Sequence, residues 1–343
     1  MLSYGLQDIE QVRLVLNGDS VVDWRKLALG DMTHIDQLLA RQGLLMSDPL
    51  DVQRLNYIHY KALGYLQTFL DRPLAAEVSN PRDVRDLFLM ASRGGGAVQS
   101  DACVTLKVMH IIHHNSGREL LYRLPVPINE LFHRIETSVF GAIDGMKSLG
   151  ISVVEFGASR KAEHSVITKL LCRKDSQAGQ VHDRLRFRIV TEDVDDVLDT
   201  LVYMTKALIP FNYVVPGESR NDLIDLYATV KGDSELSALS SMLQDLPTDA
   251  EAVGDRVNHF SDRAYRDINF VVDMAVRIDD VVQSVPGFQA DLDGQVVFLL
   301  VEFQVVDRAT HRRNGRGHSR HSLYKARQQE KAFKRLFCDS SLT

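Results

Sequence analysis

The run VVFLLVEFQVVDRATH, residues 296–311, sets a carboxylate inside an apolar stretch of strand character. A buried Glu302 is costly unless it is paired, hydrogen-bonded or holding a cation. Strand alternation puts Gln304 on the same face, so something polar should lie over that face. A second carboxylate, Asp183, opens another strand-like run, DRLRFRIV. Carboxylates on neighbouring strands are a common way to hold Mg²⁺ against phosphates. Lys161, Lys169 and Arg188 lie around them in the sequence and suit the phosphates themselves. Together these residues point to phosphoryl or nucleotidyl transfer. A plainer reading also fits, with Asp183 capped at a strand edge and Glu302 salt-bridged to Arg188. The residues alone leave both open.

The elements that must position this set fall into two parts. Up to about residue 125 the pattern is mainly helical. DMTHIDQLLARQGLLM and DVQRLNYIHYKALGYLQTFL repeat apolar residues at three- and four-residue spacing. NPRDVRDLFLMAS enters a helix on Asn-Pro, and RGGGAVQSD breaks it. No Gly-Lys-Ser/Thr follows the glycines, so they read as a flexible turn rather than a phosphate loop. From about 126 helices and strands alternate. INELFHRIETSVFGAIDGMKSLG is a helix ended by Gly150, and ISVVEFGA is a strand. AEHSVITKLLCRK is helical, DRLRFRIVTE a strand and DVDDVLDTLVYMTKAL a helix with acids in its first turn. A polar helical segment near 222–262 separates these from two further strands, INFVVDMAVRI and VVFLLVEFQVV, before a basic terminal helix. The expectation is an α+β fold: a mixed sheet flanked by helices over 126–338, preceded by a mainly helical region, 1–125.

Composition narrows the class. Hydrophobic content of 45% and charged content of 25% are those of an ordinary soluble globular chain. No apolar run is long enough to span a bilayer, and the N-terminus lacks a basic flank followed by an apolar core. The three cysteines, Cys103, Cys172 and Cys338, have no metal-ligand spacing and read as reduced thiols, so the cytoplasm is the expected compartment. Residues 308–335 hold ten Lys or Arg and one acid, Glu330, a segment suited to nucleotide phosphates or to RNA. As a charge block it also reads as a solvated basic helix.

Two further patterns are weaker. His110, His113 and His114 could present two metal ligands on one helical face, but the Glu of a metalloprotease pair is missing. They read as partly exposed helix residues. His182-Asp183 superficially resembles a metal-hydrolase pair, yet it opens a strand rather than sitting on a helix.

The order of the motifs resembles the synthetase domain of the RelA/SpoT alarmone synthetases, a nucleotidyltransferase-like fold. KAEHSVITK is similar to the family's Lys-x3-Ser-x3-Lys, giving Lys161, Ser165 and Lys169. DRLRFRIV is similar to its Asp-x4-Arg strand, giving Asp183 and Arg188. FNYVVPGESRNDLID, with Pro216-Gly217, resembles the segment after the next helix, and AYRDINFVV resembles the block that carries the family's Tyr, here Tyr265. VEFQVVDRATH resembles the Glu-x-Gln strand with its following His, giving Glu302, Gln304 and His311; HSLYK then matches with His321, Tyr324 and Lys325.

The resemblance implies transfer of pyrophosphate from ATP to the 3′-hydroxyl of GDP, GTP or another nucleotide. Asp183 and Glu302 would manage Mg²⁺ and the attacking hydroxyl. Lys161, Ser165, Lys169 and Arg188 would serve the nucleotide phosphates, with Gln304 and His311 beside them. Tyr265 would stack on the acceptor base. The chain also departs from the pattern. Ser159 stands where the family has an Arg, Arg263-Ala264 replaces Asn-Gly, Asn269 replaces a His, and Val306-Asp307 replaces Arg-Thr. These changes fall mostly on the acceptor side and imply an altered acceptor. The alternative is a catalytically degenerate nucleotide sensor, or an RNA-binding regulator using 308–335.

Overall fold

The computed structural model describes residues 5–18, 29–172, 184–226, 265–284, 295–315 and 321–337. Helices α1 (Leu6–Asn17), α2 (Met32–Arg41), α3 (Pro49–Gly64), α4 (Ala76–Ser79), α5 (Asp86–Arg93) and α6 (Gly96–Arg123) come first. Side-chain caps start two of them: Asp31 accepts from the His34 N–H at 3.1 Å, and Asp48 accepts from the Leu50 N–H at 2.9 Å, with Pro49 in the first turn of α3. The glycine run separates α5 from α6 as expected, but its last member, Gly96, already begins the 28-residue α6.

The remaining elements are α7 (Ile128–Ser148), β1 (Val153–Arg160), α8 (Glu163–Cys172), β2 (Leu185–Thr191), α9 (Asp195–Ala207), β3 (Arg220–Asn221), β4 (Ile268–Arg277), α10 (Asp279–Ser284), β5 (Val296–Asp307), α11 (Arg308–Asn314) and α12 (His321–Phe337). Gly150, at φ 84°, turns the chain from α7 towards β1. The strands form one sheet in the order β1-β2-β5-β4-β3. β2 and β5 run parallel, and the other pairings are antiparallel. The fold is thus α+β, with a mixed sheet flanked by helices.

The two faces of the sheet differ in kind. On one, Phe156, Phe187, Phe303 and Phe270 stack strand to strand with centroids 5.9, 5.5 and 5.5 Å apart. α7 and α9 pack against these strands, and Phe187, Phe270 and Phe303 are fully buried. Each such burial contributes roughly 1.5–3 kcal/mol. On the other face, α6 lies against the first half of β5. Gly117 allows this approach: a Cβ there would fall 2.5 Å from the Phe298 ring. His113 and His114 pack edge-on to Phe298, and His110 lies 4.3 Å from the Tyr213 ring.

Of the histidines expected to be partly exposed, His110 and His114 are so, and both also pack against aromatic rings. His113 is buried, and burial pushes the His110 pKa down to about 3. His114 Nε2 donates to Asp273 Oδ2 on β4 at 2.7 Å, and the same carboxylate pairs with Arg118. The reason is local: the long helix meets the sheet along the side that carries them. Arg277, at the end of β4, bonds the Gly43 carbonyl at 2.9 Å and Asp51 on α3. One continuous apolar cluster runs from Val12 on α1 to Val305 on β5. No helix among the described residues is long and apolar enough to cross a membrane.

Candidate functional site

Beyond the reach of α6, the same face of the sheet turns polar. The register sets Ser159, Arg186, Glu302 and Val271 in one cross-strand row, and Gly157, Arg188, Gln304 and Asn269 in the next. Alternation makes this unavoidable once Phe187 and Phe303 take the opposite face. Glu302 is buried but not alone. Arg186 Nε donates to its Oε2 at 2.9 Å, and the same guanidinium forms the ion pair through Nη2, also at 2.9 Å. Asn269 Nδ2 donates to Oε1 at 2.5 Å, and Gln304 Nε2 does so at 3.3 Å. These four contacts explain how an apolar strand carries a glutamate. The partner is Arg186, directly opposite Glu302, and not Arg188 as the plainer sequence reading had it. Arg188 sits one row along.

Arg188 has a different kind of company. Its Nε and Nη2 donate to Gln304 Oε1 at 3.2 and 2.8 Å, and Nη2 reaches Tyr265 Oη at 3.4 Å. Its hydrogen-bond partners among the described residues are uncharged, so its positive charge has no paired carboxylate among them. Tyr265 lies just before β4, and the Arg220 guanidinium sits over its ring at 5.7 Å from the centroid. Burial raises the Tyr265 pKa, with Asp267 adding to the rise, while Arg188, Arg220 and Arg186 act against it.

Asp267 belongs to the same set and escaped the sequence reading. It is 1% exposed and pairs through Oδ1 with Arg220. Burial pushes its carboxyl up; Arg220 opposes this, and Asp222 and Glu302 add to it. The segment is held from behind: Arg266 N–H donates to Asn314 Oδ1 at 3.2 Å, and Asn314 Nδ2 donates to the Arg266 carbonyl at 2.7 Å. Carrying the β4 alternation back two residues from Asn269 would have placed Asp267 on this face, and two more would have placed Tyr265 there. Arg186 was legible in the same way, as the residue two before Arg188.

The other expected residues are placed as follows. Lys161 follows β1, its N–H donating to the Arg184 carbonyl at 2.9 Å, so it stands beyond the Glu302 row at one end of the face. His311, on α11, lies 3.6 Å from Glu155 at the other end. Ser165 is half-buried on α8. Asp183, His182 and Arg263-Ala264 lie outside the described residues, as do most of 222–262 and the side chains of Lys169, His321, Tyr324 and Lys325. Glu302 thus gathers Gln304, Arg188 and Tyr265, with Lys161 and His311 flanking them.

The donor set also bears on Mg²⁺. Both Glu302 oxygens already accept from a guanidinium or amides, and a cation would have to displace Arg186 and Asn269 to reach them. Among the described residues no group of three His, Cys, Asp or Glu is arranged to hold a metal ion. In this arrangement Glu302 organises an arginine, and Asp183, the carboxylate expected to share a cation with it, lies outside the described residues.

No protein-family model matches the chain, and no curated protein is detectably similar. Solved structures do align. The small alarmone synthetase 1 from Bacillus subtilis bound to its product pppGpp covers 65% of this chain and 95% of its own, at 13% identity and a TM-score of 0.35. The same enzyme bound to AMPCPP covers 64% and 92%, at 13% identity and a TM-score of 0.29. A GTP pyrophosphokinase family protein from Streptococcus pneumoniae covers 63% and 87%, at 13% identity and a TM-score of 0.30. Similarities this low do not carry an activity from those proteins to this chain.

Proposed function

We propose that the polar face binds a nucleoside triphosphate and passes its pyrophosphate to a nucleotide 3′-hydroxyl. The observation that carries this reading is Arg188. It is a cation whose partners among the described residues are the neutral Gln304 and Tyr265, on the face that also carries the buried Glu302. An unpaired guanidinium suits a phosphate oxygen, and a tyrosine suits a base. The motif order read from the sequence supplies the reaction class. Arg188 and Lys161 would bind phosphates, Tyr265 would stack on the acceptor base, and Arg186, held by Glu302, would line the floor. Lys169 and Asp183 are assigned here from the motifs alone. Positioning and charge neutralisation would provide most of the acceleration.

The test is incubation with labelled ATP, Mg²⁺ and a panel of GDP, GTP, GMP and ADP, followed by product separation. AMP and a pyrophosphorylated acceptor are expected. Failure to bind ATP would overturn the reading. A second reading, a nucleotide sensor without turnover, is favoured by one observation: the Arg186 guanidinium already fills Glu302 Oε2. ATP binding with no transfer to any acceptor would select it.

A further inference from the structure

Helix α12 carries its large apolar side chains on the outside. It packs against α8, and among its described residues Ala332 is the buried one. Phe333, Leu336 and Phe337 are 60%, 52% and 62% exposed. Phe333 and Phe337, one turn apart, meet with ring centroids 4.8 Å apart. An amphipathic helix of a globular chain normally turns such a stripe inward. Here the alanine faces the fold and the phenylalanines face away from it.

The charge of the helix is equally one-sided. Its sequence, HSLYKARQQEKAFKRLF, sets Lys325, Arg327, Lys331, Lys334 and Arg335 against one acid, Glu330. Lys334 pairs with that acid at 2.7 Å. Helical periodicity turns the exposed Lys331 and Lys334 away from the stripe of Leu336, Phe333 and Phe337. Just before this helix, α11 adds the exposed Arg312 and Arg313.

These two features together select the partner. Cations alone would suit RNA phosphates, but phosphates offer nothing to two phenylalanines and a leucine. An apolar stripe alone would suit a second copy, but two copies of so basic a helix would bring like charges together. An anionic lipid surface answers both features. Its headgroups attract the cations, and the apolar side chains enter the boundary between headgroups and acyl chains. We infer that α12 docks on an anionic lipid surface and lies in its plane. Phe333, Leu336 and Phe337 insert, while Lys331 and Lys334 stay among the headgroups. The inference does not depend on the transfer reading above.

Sedimentation of the full chain with vesicles tests it, using phosphatidylcholine alone and phosphatidylcholine mixed with phosphatidylserine. Wild type should pellet with the anionic vesicles and not with the neutral ones, and raised salt should weaken the binding. Lys331→Gln with Lys334→Gln should weaken it about fivefold per charge removed. Phe333→Gln with Phe337→Gln should weaken it at least about tenfold. Both rings are exposed, so the urea midpoint of that variant should not move. Should it fail to fold, hydrogen exchange of the wild type decides, because amides of 330–337 should slow when anionic vesicles are added. No binding to anionic vesicles, equal binding by the folded phenylalanine variant, or unchanged exchange over 330–337 overturns the inference. So does binding of RNA in place of vesicles, or a lipid-free dimer that the phenylalanine changes disperse.

Discussion

Strands β2, β5 and β4 present two surfaces built from alternate residues of the same segments. Phe187, Phe303 and Phe270 face one side; Arg186 and Arg188, Glu302 and Gln304, and Asn269 face the other. The aromatic side is closed and needs nothing more. The polar side is nearly balanced, and the imbalance is informative. Glu302 and Arg186 satisfy each other, whereas among the described residues Arg188 has no carboxylate partner and Asp267 Oδ2 has no donor. Stability accounts for the first pair but not for the other two residues. That difference is why the proposed function rests on Arg188 and not on the Glu302–Arg186 pair.

The contrast can be broken most severely on the aromatic side. Phe303→Ala should destabilise the protein by about 3–5 kcal/mol, as large-to-small core changes do. Urea unfolding measures it, and a loss under about 1 kcal/mol would mean that the stacked row does not hold the sheet. On the polar side Glu302→Ala should cost less, about 1–3 kcal/mol, because Arg186 keeps some access to water when its partner is removed. Equal losses from the two changes would erase the distinction drawn here.

The part of the polar face covered by α6 gives a pH signature. Burial depresses the His110 pKa from 6.5 to about 3, so between those values the unfolded chain binds the extra proton. Its contribution is present above pH 6.5 and is lost as pH falls towards 3, with a slope of at most about 1.4 kcal/mol per pH unit. Denaturant melts at pH 7 and pH 5 should differ less in His110→Gln than in wild type. An unchanged difference would remove His110 from the account. The smallest effect is expected at the surface. Arg160 forms an exposed bidentate pair with Glu136 at 2.8 and 2.7 Å, and Arg160→Ala should cost under about 1 kcal/mol. A larger loss in the same melts would show that β1 depends on this pair.

Strong periodicity made most elements readable. The alternation of VVFLLVEFQVV correctly put Glu302 and Gln304 on one face, and the helical repeats of 128–148 and 195–207 appear as α7 and α9. The two-residue β3 carries too few residues to show a period. Partner choice was less legible, because it depends on register between strands far apart in sequence. Arg186 and Arg188 are both two-faced candidates in DRLRFRIV until the parallel pairing with β5 sets Arg186 opposite Glu302. Asp267 was hidden for a related reason: it precedes the apolar run of β4, and its Arg220 partner lies 47 residues away. Burial of His113 on α6 was likewise invisible to helical spacing, since it comes from the sheet packed against it.

In the proposed function the charge of Arg188, which has no carboxylate partner among the described residues, serves a nucleotide phosphate. Calorimetric titration of ATP with Mg²⁺ into wild-type and Arg188→Ala proteins tests it most directly. Arg188→Ala also leaves the buried Gln304 oxygen without its donor, so urea melts should show a loss of about 1–3 kcal/mol with both proteins still folded. Wild type should bind ATP measurably, and Arg188→Ala at least about tenfold more weakly, equivalent to about 1.4 kcal/mol. Equal ATP affinity in the two folded proteins, or no ATP binding by wild type, would contradict it.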